Sequence, residues 1–327
     1  MKNFLVTGGS GFIGSELVKR LVKEGYNVRV LDSNLRGDKS RLNEVYDDIE
    51  LIKADIREYK DVNKACKGID VVHHLAYING TEYFYTMPDV ILEIAVKGMM
   101  NIIDACKHRN IKELYVASSS ETYQNPETFP TPETERLIVP DPLNPRYSYG
   151  GGKILWELMA LNFGKKYFDK VVIYRPHNVY GPDMGWEHVL PQFSLRMSQL
   201  IRNDLTEVID FQIKGSGNET RSFIFIDDFI EGLIILMDKG EHLQIYNIGT
   251  MDEISIKDLA IMVGKAFGKE INVIPAKLDE GSTPRRCPDT SKITALGFKP
   301  QVGLDEGIMK VTRWYNDHAD QNRKIKA

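Results

Sequence analysis

Cysteine is scarce: the chain of 327 residues has three, Cys66, Cys106 and Cys287, odd in number and widely spaced. That spacing implies no disulfide framework and suits a reducing compartment. Long apolar runs are absent too, and none approaches the roughly 20 residues needed to span a bilayer. The sequence passes from its first residues straight into a short apolar strand and a glycine turn, with no room for a secretion signal, so we expect a cytoplasmic protein. Charge of one sign never accumulates in blocks: 42 Lys and Arg stand against 46 Asp and Glu, for a net charge of −4. This leaves no electrostatic footprint for nucleic acid or an anionic membrane, and the basic tail Arg323-Lys324-Ile325-Lys326 reads as a solvated end. Histidine and cysteine are nowhere spaced as metal ligands. His73 and His74 are neighbours in a strand and so face opposite sides. Internal repeats and low-complexity linkers are missing as well.

What is present is the composition of an ordinary soluble enzyme, 42% hydrophobic and 27% charged, with enough chain for one large core or two domains. Phe4-Leu5-Val6 reads as a buried strand, followed by Gly8-x-x-Gly11-x-x-Gly14. Apolar residues at Phe12, Ile13, Leu17, Leu21 and Val22 then follow at helical spacing. Strand, glycine turn and helix in that order make a dinucleotide site: glycines let the backbone approach a pyrophosphate, and the helix start offers free amides. Gly8, Gly11, Phe12, Ile13 and Gly14 are therefore candidate cofactor contacts. Asp32 ends a second strand, Val28 to Leu31, 18 residues after Gly14. A carboxylate there accepts hydrogen bonds from the adenosine ribose and repels a 2′-phosphate, which favours NAD over NADP. Arg36 is the counter-signal. Asp55 and Ile56, after a third strand, would flank the adenine.

Strands at 71–75, 114–117 and 171–174 continue the alternation with helices, which implies an α/β fold with a doubly wound parallel sheet. Beyond Pro182 the alternation loosens. We therefore expect a dinucleotide-binding domain over 1–180 and a smaller α/β substrate-binding lobe over 181–327, with some segments returning to the first domain. Two helical stretches, Val90 to Ile103 and Ile154 to Phe163, are apolar nearly all round and need cover on two sides. A second copy of the chain would supply it, so we expect a homodimer.

Tyr149 and Lys153 sit at i and i+4, on one face of a helix. An ammonium behind a phenol favours phenolate, and a lowering of about 3 units would make Tyr149 a general base near neutral pH. Upstream, Ser118-Ser119-Ser120-Glu121 follows the apolar run Leu114-Tyr115-Val116.

With these motifs in place the chain resembles the extended short-chain dehydrogenase/reductase family, the NAD-dependent nucleotide-sugar epimerases and dehydratases. The resemblance rests on Gly8-x-x-Gly11-x-x-Gly14, Asp32, His74-Leu75-Ala76, Ser118-Ser119-Ser120, Tyr149-x-x-x-Lys153, Arg175 to Pro182, Arg221-Ser222-Phe223 and Arg286-x-Pro288-Asp289. It spans nearly the whole length. It implies that Tyr149 is the catalytic base and that Lys153 holds the nicotinamide ribose and lowers the phenol pKa. It also implies that Ser119 hydrogen-bonds the substrate 4-hydroxyl, and that Leu75 and Ala76 line the cofactor. Asn178, Arg221 and Arg286 would hold a substrate diphosphate, a task suited to guanidinium and amide donors. Two departures fall near the sugar pocket. Tyr77 stands where the family often has alanine, and Ala95-Val96-Lys97-Gly98-Met99 replaces Asn-x-x-Gly-Thr.

The resulting expectation is an enzyme that oxidises C4 of a nucleoside-diphosphate sugar with NAD. Epimerisation is the favoured outcome; 4,6-dehydration, decarboxylation or net C4 oxidation are the alternatives. Glu121 separates them: epimerases of this kind commonly have a small uncharged residue there, whereas dehydratases and decarboxylases use an acid or base near C5. His177-Asn178 and Thr220 to Phe223 look more like the GDP-mannose 3,5-epimerases, Tyr83-Phe84-Tyr85 and Ser119-Ser120-Glu121 more like the decarboxylases and dehydratases. From another class, a non-catalytic NAD-binding regulator could share the fold but would need none of Ser119, Tyr149 or Lys153. A steroid-type dehydrogenase would not need the arginines.

Overall fold

The computed structural model describes residues 2–203, 206–277 and 283–320; the basic tail lies outside them. Its centre is a sheet of seven strands: β1 (Asn3–Thr7), β2 (Asn27–Asp32), β3 (Ile49–Lys53), β4 (Val71–His74), β5 (Glu113–Ala117), β6 (Lys170–Pro176) and a seventh, Gln244–Ile248. Every pairing is parallel. The spatial order is seventh, β6, β5, β4, β1, β2, β3. The chain winds outward from β1 to β3, then returns to lay β4 on the other side of β1. That reversal opens a crevice at the carboxyl ends of β1 and β4, where doubly wound sheets bind ligands.

Both faces of the sheet are covered, as the near-continuous apolar strands require. Phe4 and Val6 pack into one hydrophobic cluster with α1 (Phe12–Lys23), while Leu5 packs into the other. His73 and His74 divide the same way. His73 stacks on Tyr115 with ring centres 4.5 Å apart, and His74 on Trp156 at 4.1 Å. Among the described residues no group of three or more His, Cys, Asp or Glu could hold a metal ion. Among the described residues no helix is long and apolar enough to cross a membrane.

The stretch expected as one helix from Val90 is three segments: Pro88–Glu93, a wider π turn at Ile94–Gly98, and Met99–Arg109. The widening coincides with a hydrogen bond from Trp156 Nε1 to the carbonyl of Ala95 at 3.0 Å. A side chain has entered the helical ladder, a usual cause of such bulges.

After residue 180 short strands build a lobe over the crevice. Thr220–Ser222 pairs with Glu253–Ser255 and with Arg285–Arg286, and Val208–Lys214 pairs with Glu270–Ala276. The helix Ile256–Ala266 begins at Ser255, whose hydroxyl accepts from Asp258 N at 3.0 Å. The chain crosses back for the seventh strand and for the helix Ile226–Lys239, which packs on α1. Arg41 grips Asp183 with two bonds of 2.8 Å, tying the lobe to the sheet side of the crevice.

Candidate active site

The crevice is a cleft of about 450 Å³. It takes in Gly8, Gly11 to Gly14, Asp32, Asp55, Ile56, Leu75, Ala76, Ser119, Glu121, Tyr149, Lys153, Asn178 and Arg286. Arg221 does not line it. The two halves of the sequence pattern therefore meet in one place.

At the floor, β1 ends and Gly8 turns with φ +73°. A Cβ there would lie 2.8 Å from the backbone of Ala76, which follows β4. A Cβ on Gly14 would lie 2.1 Å from the Gly8 carbonyl oxygen, so the helix can seat on the turn only with glycine. Gly11 caps α1 without any side-chain hydrogen bond, which leaves the first-turn amides facing the cleft. Free amides at a helix start, with a backbone that approaches closely, fit a pyrophosphate. Thr7 sets the other wall. Its hydroxyl accepts from the Leu75 and Ala76 amides at 3.2 Å and shares a hydrogen bond of 2.8 Å with His74 Nδ1.

Asp32 accepts from Ser10 N at 3.0 Å and Asn34 N at 2.8 Å, one bond to each oxygen. A carboxylate offers about four acceptor sites, so two remain for ribose hydroxyls. Arg36 is occupied elsewhere, 3.5 Å from Glu187 and over the Tyr83 ring. Asp55 pairs with Arg57 at 2.7 Å, and that pair holds its carboxyl below the usual range against the opposing effect of burial. The donor set thus fits NAD.

The opposite wall is the helix Ser148–Tyr167. Glu157 receives Arg175 through two bonds, 2.6 and 2.8 Å, and also accepts from the Ser118 hydroxyl. Arg175 continues to Tyr123 OH at 2.6 Å, and Tyr123 to Asn247 at 2.8 Å. All five side chains are buried, and the chain of bonds ties the helix to β5, β6 and the seventh strand. A fully satisfied buried network of this kind specifies one placement of the helix.

Tyr149 and Lys153 do share a face, but the expected electrostatics are overturned. Burial pushes the Tyr149 phenol up to about 12; Ser119 and Arg36 act to lower it, and Glu121 raises it. Lys153 makes its hydrogen bond elsewhere. Its Nζ donates to the Ala117 carbonyl at 2.6 Å and lies 5.9 Å from the Tyr149 ring centre. Burial in turn drives Lys153 well below the ordinary lysine value, partly opposed by Glu157. The spacing reads correctly as proximity and wrongly as a lowered phenol pKa, because it cannot show how deeply folding buries the phenol.

Ser119 caps the short turn Ser120–Thr122, its Oγ accepting from Glu121 N at 3.1 Å. The Glu121 carboxylate is not spent on its own loop. It is bound by Arg286 Nη1 at 2.6 Å. Burial would raise its carboxyl, yet Arg286, Arg146 and Arg221 hold it below the usual value. The crowding works the other way on Arg221, which burial and Arg286 bring down to about 10. Arg221 donates to the carbonyls of Thr220, Thr283 and Pro284 rather than to a surface carboxylate. Asn178, at φ +41°, donates one amide hydrogen to Ser222 O at 2.8 Å. Arg146 escaped the sequence reading. It and Arg286 each keep a buried Nε without a partner, and only the Pro-Arg-x-x-Tyr spacing to Tyr149 could have drawn attention to it.

Known proteins share this fold. Residues 4–249 match the family described as the NAD dependent epimerase/dehydratase family. A putative UDP-glucose 4-epimerase of Methanocaldococcus jannaschii is 30% identical, over 96% of this chain and 98% of its own length. A UDP-N-acetyl-alpha-D-glucosaminuronate decarboxylase of Bacillus cytotoxicus is 28% identical over 97% and 98%. The structure of a Thermotoga maritima UDP-glucose 4-epimerase with UDP-glucose superposes with a TM-score of 0.84 at 26% identity, covering 96% of this chain and 99% of that one.

Proposed function

The chain belongs to the NAD dependent epimerase/dehydratase family, and from that membership we propose that it oxidises C4 of a nucleoside-diphosphate sugar to a 4-keto intermediate and acts as a 4-epimerase. The supporting observation is the convergence on one cleft of the Gly8–Gly14 turn, the Ser119, Tyr149 and Lys153 side chains, and Arg286. When bound, NAD supplies a hydride acceptor whose positive ring favours phenolate nearby. Tyr149 takes the C4 hydroxyl proton and later returns it, with the Ser119 hydroxyl beside it to orient the sugar oxygen. Lys153 holds the nicotinamide ribose. Gly8, Gly11, Phe12, Ile13 and Gly14 cradle the pyrophosphate, Asp32 takes the adenosine ribose, Asp55 and Ile56 flank the adenine, and Leu75 and Ala76 close the wall. Asn178, Arg221 and Arg286 hold the substrate diphosphate, for which Arg286 must exchange its Glu121 partner and Arg221 must turn from the Thr220, Thr283 and Pro284 carbonyls into the cleft. On this reading residues 1–180 carry the cofactor and 181–327 the sugar nucleotide.

Glu121 supports a second reading. A carboxylate inside the cleft, on a protein similar to a decarboxylase, can act near C5 once C4 is oxidised, giving loss of water or of carbon dioxide before the hydride returns. We further propose a homodimer in the cytoplasm. Leu92, Val96 and Leu158, on the two apolar helical stretches, are 46%, 49% and 54% exposed and would be covered by a second copy.

The test is to incubate the enzyme with a panel of nucleoside-diphosphate sugars and to follow both product mass and the NADH absorbance band in single turnover. A product of unchanged mass and altered stereochemistry is expected. Loss of water or carbon dioxide moves the assignment to the second reading. Tyr149→Phe should bind NAD yet lose turnover by on the order of 10²-fold; near-native turnover would remove Tyr149 from the mechanism. Glu121→Gln should turn over fully if the enzyme is an epimerase, and should stall with NADH formed if Glu121 acts at C5.

A further inference from the structure

Tyr77 and Trp156 both pack against a charge that the site needs and that burial opposes. Lys153 Nζ is 3.8 Å from the Trp156 ring centre and 4.2 Å from that of Tyr77. The two rings meet edge to face at 4.8 Å and 81°. Tyr77 also meets Tyr149 edge to face, at 5.3 Å and 85°, while Phe84 stacks on the far side of Tyr149 at 5.1 Å. Behind Trp156 the His74 ring completes the stack. Tyr77 thus touches both side chains of the Tyr149–Lys153 pair.

The Tyr77 hydroxyl is buried and makes no hydrogen bond. A polar atom left so is a cost, and what the position contributes is therefore the ring. The surrounding backbone has been cut to admit it. A Cβ on Gly152 would lie 2.0 Å from Tyr77 Oη and 2.9 Å from Ala95 Cβ, so glycine at 152 and alanine at 95 make the room. Tyr77 and Ala95 are both among the departures from the family's pattern.

Charged support for the ammonium is limited to one carboxylate that is shared with another cation. On its own helix Glu157 faces it, but Arg175 from β6 already holds that carboxylate through two bonds. From β4 comes His74, kept neutral by burial and by Lys153 itself. From β5 comes the Ala117 carbonyl, an uncharged acceptor. The π turn presents Ala95 here, and its Lys97 is engaged at the surface by Glu93. Tyr149 is a neutral phenol. The remaining support is the negative faces of the two rings.

We propose that Tyr77 is a positioning residue of the site: with Trp156 it forms an aromatic cage that keeps Lys153 a fixed ammonium ion in a buried, otherwise unsupportive setting. A desolvated ammonium gains from an aromatic face a stabilisation that corresponds to roughly one pH unit in its titration. The proposal rests on the reading that Lys153 serves the cofactor, and the experiment separates the two.

Position 77 is filled in turn by phenylalanine, 4-fluorophenylalanine and 3,4,5-trifluorophenylalanine, rings of nearly one shape with progressively weaker π faces. The full chain carries [ε-13C]lysine, and the Lys153 resonance is titrated by NMR; Kd for NAD is measured by calorimetry across the same pH range. Tyr77→Phe should titrate like the natural protein. The fluorinated rings should lower the Lys153 pKa stepwise, by about one unit over the series. The ammonium is lost as pH rises through that pKa, so NAD affinity should begin to fall at a correspondingly lower pH. A Lys153 titration indifferent to fluorination overturns the cage. A titration that shifts while NAD affinity does not follow upholds the cage and refutes the assignment of Lys153 to the cofactor.

Discussion

Gly152→Ala tests how tightly this wall is built. In a helix interior, alanine is ordinarily better than glycine by up to about 1 kcal/mol. Here the new methyl would stand 2.0 Å from Tyr77 Oη and 2.9 Å from Ala95 Cβ, inside contact limits on both sides. Tyr77 is lodged between Tyr149 and Trp156 and cannot swing aside without losing both ring contacts. Overpacking of that kind costs up to about 3 kcal/mol. The difference leaves Gly152→Ala destabilised by about 2 kcal/mol, the opposite sign to a helix-propensity argument. Tyr77→Ala alone should cost about 3 kcal/mol or more through the cavity it opens. In the double variant the methyl enters that cavity, the clash with Tyr77 disappears and only the closer approach to Ala95 remains, so the two changes should couple by about 2 kcal/mol. Urea unfolding of the four proteins, followed by tryptophan fluorescence and evaluated as a double-mutant cycle, measures the coupling. Additivity to within about 0.5 kcal/mol would refute the steric argument.

Asp32→Ala should narrow the preference for NAD over NADP, read as the ratio of Kd values by calorimetry; tighter NADP binding by the natural protein would instead make Arg36 the discriminating residue, against its engagement by Glu187 and Tyr83. Leu158→Glu places a charge on a side chain that is 54% exposed in the single chain, so it should leave thermal stability of the monomer nearly intact while shifting light-scattering mass from dimer to monomer. An unchanged dimer mass would move the interface elsewhere.

What could be read from the sequence was local in origin. Gly8, Gly11 and Gly14 announce themselves because strand, turn and helix are contiguous, and the structure uses each at that turn. Asp32 follows from strand length. Tyr149 and Lys153 follow from helical periodicity, which secures a shared face and nothing more. The direction of the Tyr149 shift comes from burial, which only folding supplies, while the Ala117 carbonyl from β5 takes the Lys153 ammonium. The π turn depends on Trp156, far along the chain, reaching the Ala95 carbonyl. Arg146 became visible only when folding brought it, with Arg221 and Arg286, around Glu121.

The run Gly150-Gly151-Gly152 shows why such features escape a reading along the chain. As sequence it is a poor helix start, giving up roughly 2–3 kcal/mol of propensity relative to three alanines. In the structure its outer two glycines answer to different partners. A Cβ on Gly150 would meet Gln124 Nε2 at 2.6 Å and the Glu121 carbonyl oxygen at 2.8 Å; one on Gly152 would meet Tyr77. The turn that carries Ser119 and Glu121 therefore presses on one glycine, and the loop after β4 that carries Tyr77 presses on the other. Closing both contacts brings Ser119, Tyr149 and Lys153 into one cleft, since the backbone between Tyr149 and Lys153 is the surface against which both loops seat. The lost propensity is the cost of that approach. It is borne by a helix already anchored through Glu157 to Arg175, which can tolerate a weak first turn because its position does not depend on it.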